Sequence, residues 1–75
     1  MNQPQMTPTL LREAGESLYG ARWQSELSRD LDVSDRTLRR WLAGVNDVPE
    51  TLRAELRALA QSRRKALDGV IARLR

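Results

Sequence analysis

Seventy-five residues suffice for one small domain that buries about 60% of the surface its unfolded chain exposes, so the fold must be compactly helical, stapled or oligomeric. With no cysteine and no histidine, the chain has no disulfide, no thiolate or imidazole metal site and no cysteine nucleophile or histidine base; no calcium-loop or paired-carboxylate spacing replaces them, and neither a cofactor nor an enzymatic activity is expected. The formal net charge is +3, and twelve of the thirteen basic residues are arginine, whose planar fork grips phosphate and the guanine edge as lysine does not.

Residues 1–7 are polar, contain Pro4 and are expected to form a disordered arm. Thr7-Pro8 then supplies a hydroxyl at the N-cap and a proline at the first helical position, where its missing N–H costs nothing. Leu10, Leu11, Ala14 and Leu18 follow at helical spacing, and Gly20 ends this first helix. A second helix is predicted from about Trp23 to Leu31, because Trp23, Leu27 and Leu31 recur every four residues and line one face. It stops near Asp32-Val33. Ser34 caps a third helix, Asp35 suits the positive end of its dipole, and Gly44 closes it in the left-handed conformation.

Gly44-Val45-Asn46-Asp47-Val48-Pro49 is a turn, and from Pro49 the pattern is helical almost to the end. Its apolar stripe comprises Leu52, Leu56, Leu59, Leu67, Val70, Ile71 and Leu74, interrupted by Arg63. Gly69 weakens the helix by up to ~1 kcal/mol relative to alanine. One long helix and two pieces jointed near residues 61–65 or Gly69 fit equally well. No strand signal occurs, so the expected fold is all-α: a four- to five-helix bundle with a long C-terminal helical segment. Its parts are the arm over 1–7, a domain over 8–60 and an extension over 61–75. No apolar run approaches the ~20 residues of a membrane span. The N-terminus lacks the charged and apolar regions of a secretory signal, and the absence of cysteine fits a reducing compartment, so a cytoplasmic protein with no membrane partner is expected.

The segment from Gln24 to Gly44 carries the functional signal. Two short helices joined by a tight turn pack crosswise, which demands a small residue where they touch and apolar residues at fixed offsets. Ser28 is the small residue; Leu27, Leu31, Val33, Leu38 and Trp41 supply the core. At about 100° per residue, Leu38, Trp41 and Leu42 share one face of the third helix, while Arg36, Arg40 and Ala43 point away from it. Asp35 and Arg39 lie on one flank and Thr37 on the other. Such a face fits a major groove about 12 Å wide and offers guanidinium forks to guanine O6 and N7.

This segment resembles the helix-turn-helix of the Cro/CI-type (XRE-like) phage repressors and their small prokaryotic relatives, over about 21 of the 75 residues. The resemblance implies a double-stranded-DNA-binding domain whose first motif helix opens on a glutamine that touches phosphate, here Gln24. It also implies base-reading positions at the start of the recognition helix and one turn later, which fall on Asp35, Arg36, Arg39 and Arg40. Ser28 stands where alanine is usual and Asp32 where glycine is usual; serine keeps the size small, and aspartate tolerates the left-handed conformation. Size and motif also resemble repressors associated with anti-CRISPR operons, which implies a phage or mobile-element setting.

The resulting expectation is a sequence-specific transcriptional repressor that binds an inverted repeat as a homodimer, with no small-molecule substrate. Gln24, Thr37, Arg39 and Arg22 would hold the backbone, Arg36 and Arg40 would read bases, Ser34 counts with them as a DNA-binding residue, and Asp35 would either accept from cytosine N4 or only cap the helix and orient arginine. Leu67, Val70, Ile71 and Leu74 would form the dimer surface, unless that stripe is intramolecular core. Three plainer readings stand beside these. The arginines fit a solvated face with an Asp35–Arg39 ion pair. Arg63-Arg64-Lys65, which could also meet phosphate, fits a solvated charge run. Trp23 and Trp41 fit core by their offsets better than they fit base-stacking. The rival functions are a helical protein-interaction or adaptor module and a nonspecific or single-strand nucleic-acid binder.

Overall fold

A computed structural model describes residues 5–75 and is all-α, with no strand among them. Its elements are α1 (Pro8–Tyr19), a 3-10 turn (Gly20–Arg22), α2 (Trp23–Leu31), α3 (Asp35–Leu42) and α4 (Leu52–Arg73). The helix starts follow the local chemistry. Thr7 Oγ1 accepts the Leu10 N–H at 3.0 Å with Pro8 at the first position, and Ser34 Oγ accepts the Thr37 N–H at 3.0 Å. The stops of α2 and α3 share one geometry. Asp32 adopts the left-handed conformation (φ 56°), with Val33 N–H donating to Ser28 O at 3.0 Å and Asp32 N–H to Arg29 O at 3.2 Å. Gly44 (φ 77°) repeats the arrangement, with Val45 N–H to Arg40 O at 3.0 Å and Gly44 N–H to Trp41 O at 3.2 Å. In each, the last carbonyls of the helix find partners just past its end.

The core consists of Leu11, Trp23, Leu27, Leu31, Leu38 and Trp41, completed by Met6, Val48, Leu52 and Leu56. It is built from three short helices and closed by the opening turns of α4, rather than by four or five helices packed along their lengths. Two boundaries differ from the sequence reading. Met6 belongs to the core and its N–H donates to Glu50 Oε1 at 2.6 Å, so residues 6 and 7 are not part of a free arm; of the rest of the expected arm Gln5 is exposed, and residues 1–4 lie outside the described residues. The accepted N–H holds the Glu50 carboxyl below the usual range, and Arg53, 3.2 Å away, adds to this. A 3-10 turn joins α1 to α2, and α4 begins at Leu52 rather than Pro49. Finally, α4 is continuous through residues 61–65 and Gly69.

Gly15 is the position that periodicity alone does not explain. It is buried on α1, and a Cβ placed there would stand 2.0 Å from Cε3 of the Trp23 ring. Ordinary carbon–carbon contact is 3.5–4.0 Å, so α1 and α2 approach this closely only because the side chain is missing. Gly15→Ala is expected to lower stability by about 1–3 kcal/mol through overpacking, despite the ~1 kcal/mol gain in helix propensity. A thermal midpoint equal to or above that of the wild type would refute the close-approach account.

Ser28 Oγ is buried with no hydrogen-bond partner among the described residues. A buried orphan hydroxyl costs about 1–3 kcal/mol. Ser28→Ala should therefore raise the melting temperature by several degrees, since ~1 kcal/mol shifts a domain of this size by about 4–8 °C. A fall instead would mean that the hydroxyl is bonded after all.

The path of α4 follows from two contacts. Near the start of α1, Met6 bonds Glu50; at its end, the Arg63 guanidinium lies 5.5 Å from the centroid of the Tyr19 ring. The same number of residues separates the two anchors on each strand of chain, so α1 and α4 run side by side and parallel. Tyr19 also donates its hydroxyl to Asp30 Oδ2 on α2, so one side chain ties three helices together. Partial burial pushes the Tyr19 phenol up to about 12; the bond to Asp30 and its charge push the same way against the opposing Arg63, and the proton stays in place at ordinary pH. Beyond Arg63, α4 leaves the body, and every residue from Gln61 to Arg75 is exposed. The radius of gyration, 13.7 Å, accordingly exceeds the about 11 Å of a compact chain this long.

Candidate nucleic-acid interface

Helix α3 carries the candidate site, and its orientation is set by what it buries. Leu38 is fully buried and Trp41 is 8% exposed, so the face bearing them is committed to the core. At about 100° per residue, Arg36 and Arg40 fall opposite Leu38, within about 40° of one another and one turn apart. Both are exposed, as are Asp35, Arg39 and Ala43. Among the described residues the ion pairs are Glu26–Arg29 at 3.6 Å and Glu50–Arg53 at 3.2 Å. The alternative Asp35–Arg39 pair does not form. Arg36, Arg39 and Arg40 thus stand on α3 with their forks uncommitted.

Ser34 and Thr37 occupy a different role. Ser34 Oγ caps α3 and also donates to Thr37 Oγ1 at 2.9 Å, so both hydroxyls are engaged in shaping the first turn. Thr37 is half-buried and keeps its own O–H available to an outside acceptor. Asp35 lies in the first turn of α3, where a carboxylate interacts favourably with the helix dipole.

A second patch lies at the start of α2. No side chain caps this helix, which follows directly on the 3-10 turn, and its start lies at the positive end of its dipole. Arg22 and Gln24 are exposed there and, with Ala21, Ser25 and Glu26, line a shallow open hollow. The α2–α3 turn at Asp32 links this patch to α3 as one rigid unit through Leu27, Leu31 and Leu38.

Trp23 and Trp41, 4% and 8% exposed, are core residues, and neither offers a ring for stacking on bases. The C-terminal stripe is not intramolecular core: Leu67, Val70, Ile71 and Leu74 are 54%, 46%, 59% and 77% exposed. Arg63 of the basic run is held over Tyr19, while Arg64 and Lys65 are exposed. The sequence reading missed Val45, which stands 69% exposed immediately after α3, and the Tyr19–Asp30–Arg63 joint. Val45 is legible as an apolar residue stranded in a polar turn. The joint has no such signal, because its three members lie on three helices.

Among the described residues, no helix is long and apolar enough to cross a membrane, and no group of three or more acidic side chains is placed to hold a metal ion. No family model, curated protein or solved structure matches the chain.

Proposed function

We propose that the protein is a cytoplasmic, sequence-specific double-stranded-DNA-binding repressor of the helix-turn-helix type, working as a homodimer on an inverted repeat. The observation that carries this reading is the pair Arg36 and Arg40: exposed, unpaired and one turn apart on a helix whose opposite face is sealed into the core. In the major groove the two guanidinium forks meet guanine edges bidentately, each adding about 1–3 kcal/mol of discrimination. Arg39 lies on the flank toward the backbone. Gln24 and Arg22 at the start of α2 receive phosphate, which the positive end of the helix dipole favours. Thr37 adds its O–H from the other flank. Ser34 acts by holding the first turn, and Asp35 complements the positive end of the α3 dipole or accepts from cytosine N4. Repression then requires only that the operator be occupied.

Selection from a random duplex library, followed by binding measurements on the selected site, tests this directly. A palindromic site is expected, with Arg22→Ala weakening all sequences about equally and Arg36→Ala relaxing preference at one position. Raising salt from about 50 to 200 mM should cost roughly 10³–10⁵ in affinity if 6–10 phosphates are contacted. Salt-independent binding, or no enrichment of any sequence, would end the proposal. The exposed stripe on α4 favours a second reading, a helical module that docks another protein. It requires a chain that is monomeric alone and indifferent to duplex DNA.

A further inference from the structure

The dimeric reading leaves open how two copies meet, and the geometry of α4 narrows the choice. The face of α4 that docks on the body carries Leu52, Leu56, Leu59 and Arg63. At about 100° per residue, Leu67, Val70 and Leu74 lie within about 60° of Leu52 on the helix circumference, with Ile71 about 40° beyond. The exposed stripe is therefore a continuation of the docked face, and the body stands at one end of it like a stop.

We infer that two copies pair through antiparallel packing of their α4 ends, with Leu67 against Leu74 of the partner subunit and Val70 against the partner subunit's Ile71. Sterics decide against the parallel alternative. Packed helices lie 8–10 Å apart, and a helix with its side chains is about 10 Å across. Parallel pairing would force both bodies into the gap between the two α4 helices, which cannot hold even one α1. Antiparallel pairing places each body beyond the end of the partner's helix. In this register the partner's α4, ending near the level of Leu67, stops about 6 Å short of the Arg63 anchor at 1.5 Å per residue. The seam fits the free length of helix.

The two pairings also differ in how far apart they set the basic runs. Arg63-Arg64-Lys65 has no acidic neighbour before Asp68 on its C-terminal side. Parallel pairing sets the two basic runs side by side at helix-packing distance. Antiparallel pairing separates them by about 20 Å along the axis, more than two Debye lengths of ~8 Å at physiological salt.

Because the chain has no cysteine, disulfide trapping reads the arrangement without background. Leu67→Cys and Leu74→Cys chains of different tagged sizes, each at an exposed position, are oxidised separately and mixed. A disulfide requires Cα atoms within about 7 Å, so the mixture should form the cross-linked heterodimer and neither variant alone should cross-link efficiently. Rapid self-cross-linking of Leu74→Cys alone, without the heterodimer, would overturn the pairing while leaving dimerisation intact. A wild-type chain that sediments as a monomer, with and without its selected duplex, would overturn dimerisation and the pairing with it. Duplex binding measured on the same samples reports separately on the DNA reading.

Discussion

Replacing both Arg36 and Arg40 with alanine should lower affinity for the selected duplex roughly 30- to 10⁴-fold, the sum of two bidentate contacts at about 1–3 kcal/mol each. The melting temperature should hardly move. Both side chains are exposed and make no ion pair, and surface substitutions of this kind stay within about 0.5 kcal/mol. The loss should be selective. Binding to unrelated duplex, carried by phosphate contacts, should fall far less than binding to the selected site. Arg40→Lys makes the sharper test, because it keeps the charge and removes the fork. Nonspecific affinity should survive while preference at one base pair disappears. Equal loss on all sequences would demote both arginines to backbone contacts. The single substitutions need not add, since residues one turn apart on one helix reach neighbouring base pairs.

Trp41→Ala should be the most damaging single change to the fold. Removing a buried tryptophan costs about 3–5 kcal/mol through lost transfer energy and the cavity left behind. A chain of 75 residues has only about 4–11 kcal/mol in total. Trp41 is 8% exposed and sits on α3 directly behind the arginine face, so its loss also frees the helix that presents Arg36 and Arg40. Denaturant unfolding should show a midpoint shifted down by a large part of its range, with DNA binding failing for lack of a folded site. Trp41→Phe separates structure from contact. It fills most of the same volume and should retain both the fold and the affinity. Normal melting with a large loss of duplex binding would instead place the indole against nucleic acid.

Ser28 and Gly15 show how differently two small residues act in one core. Ser28 is buried on α2 but leaves its hydroxyl orphaned, so alanine would serve better. Gly15 permits an approach that alanine would block. Sequence comparison with the helix-turn-helix pattern points to the first position. Nothing in the periodicity of α1 points to the second, because the partner ring comes from the next helix.

The sequence by itself determined α1, α2, α3 and the outward face of α3, but neither the start nor the continuity of α4. Caps, left-handed stops and periodicity act within about four residues, and such signals survive without any tertiary context: Thr7-Pro8, Ser34, Asp32, Gly44 and the Leu38–Trp41 offset are all local. Only the tertiary structure decided which surfaces remain. It placed Met6 in the core, brought Gly15 against Trp23, and joined Tyr19, Asp30 and Arg63 across three helices. It also ended the docked part of α4 at Arg63, where α1 runs out, leaving Leu67, Val70, Ile71 and Leu74 exposed. The stripe has the same period on both sides of that point. Whether an apolar residue on it is core or interface depends on the length of the neighbouring helix, which no pattern within α4 encodes.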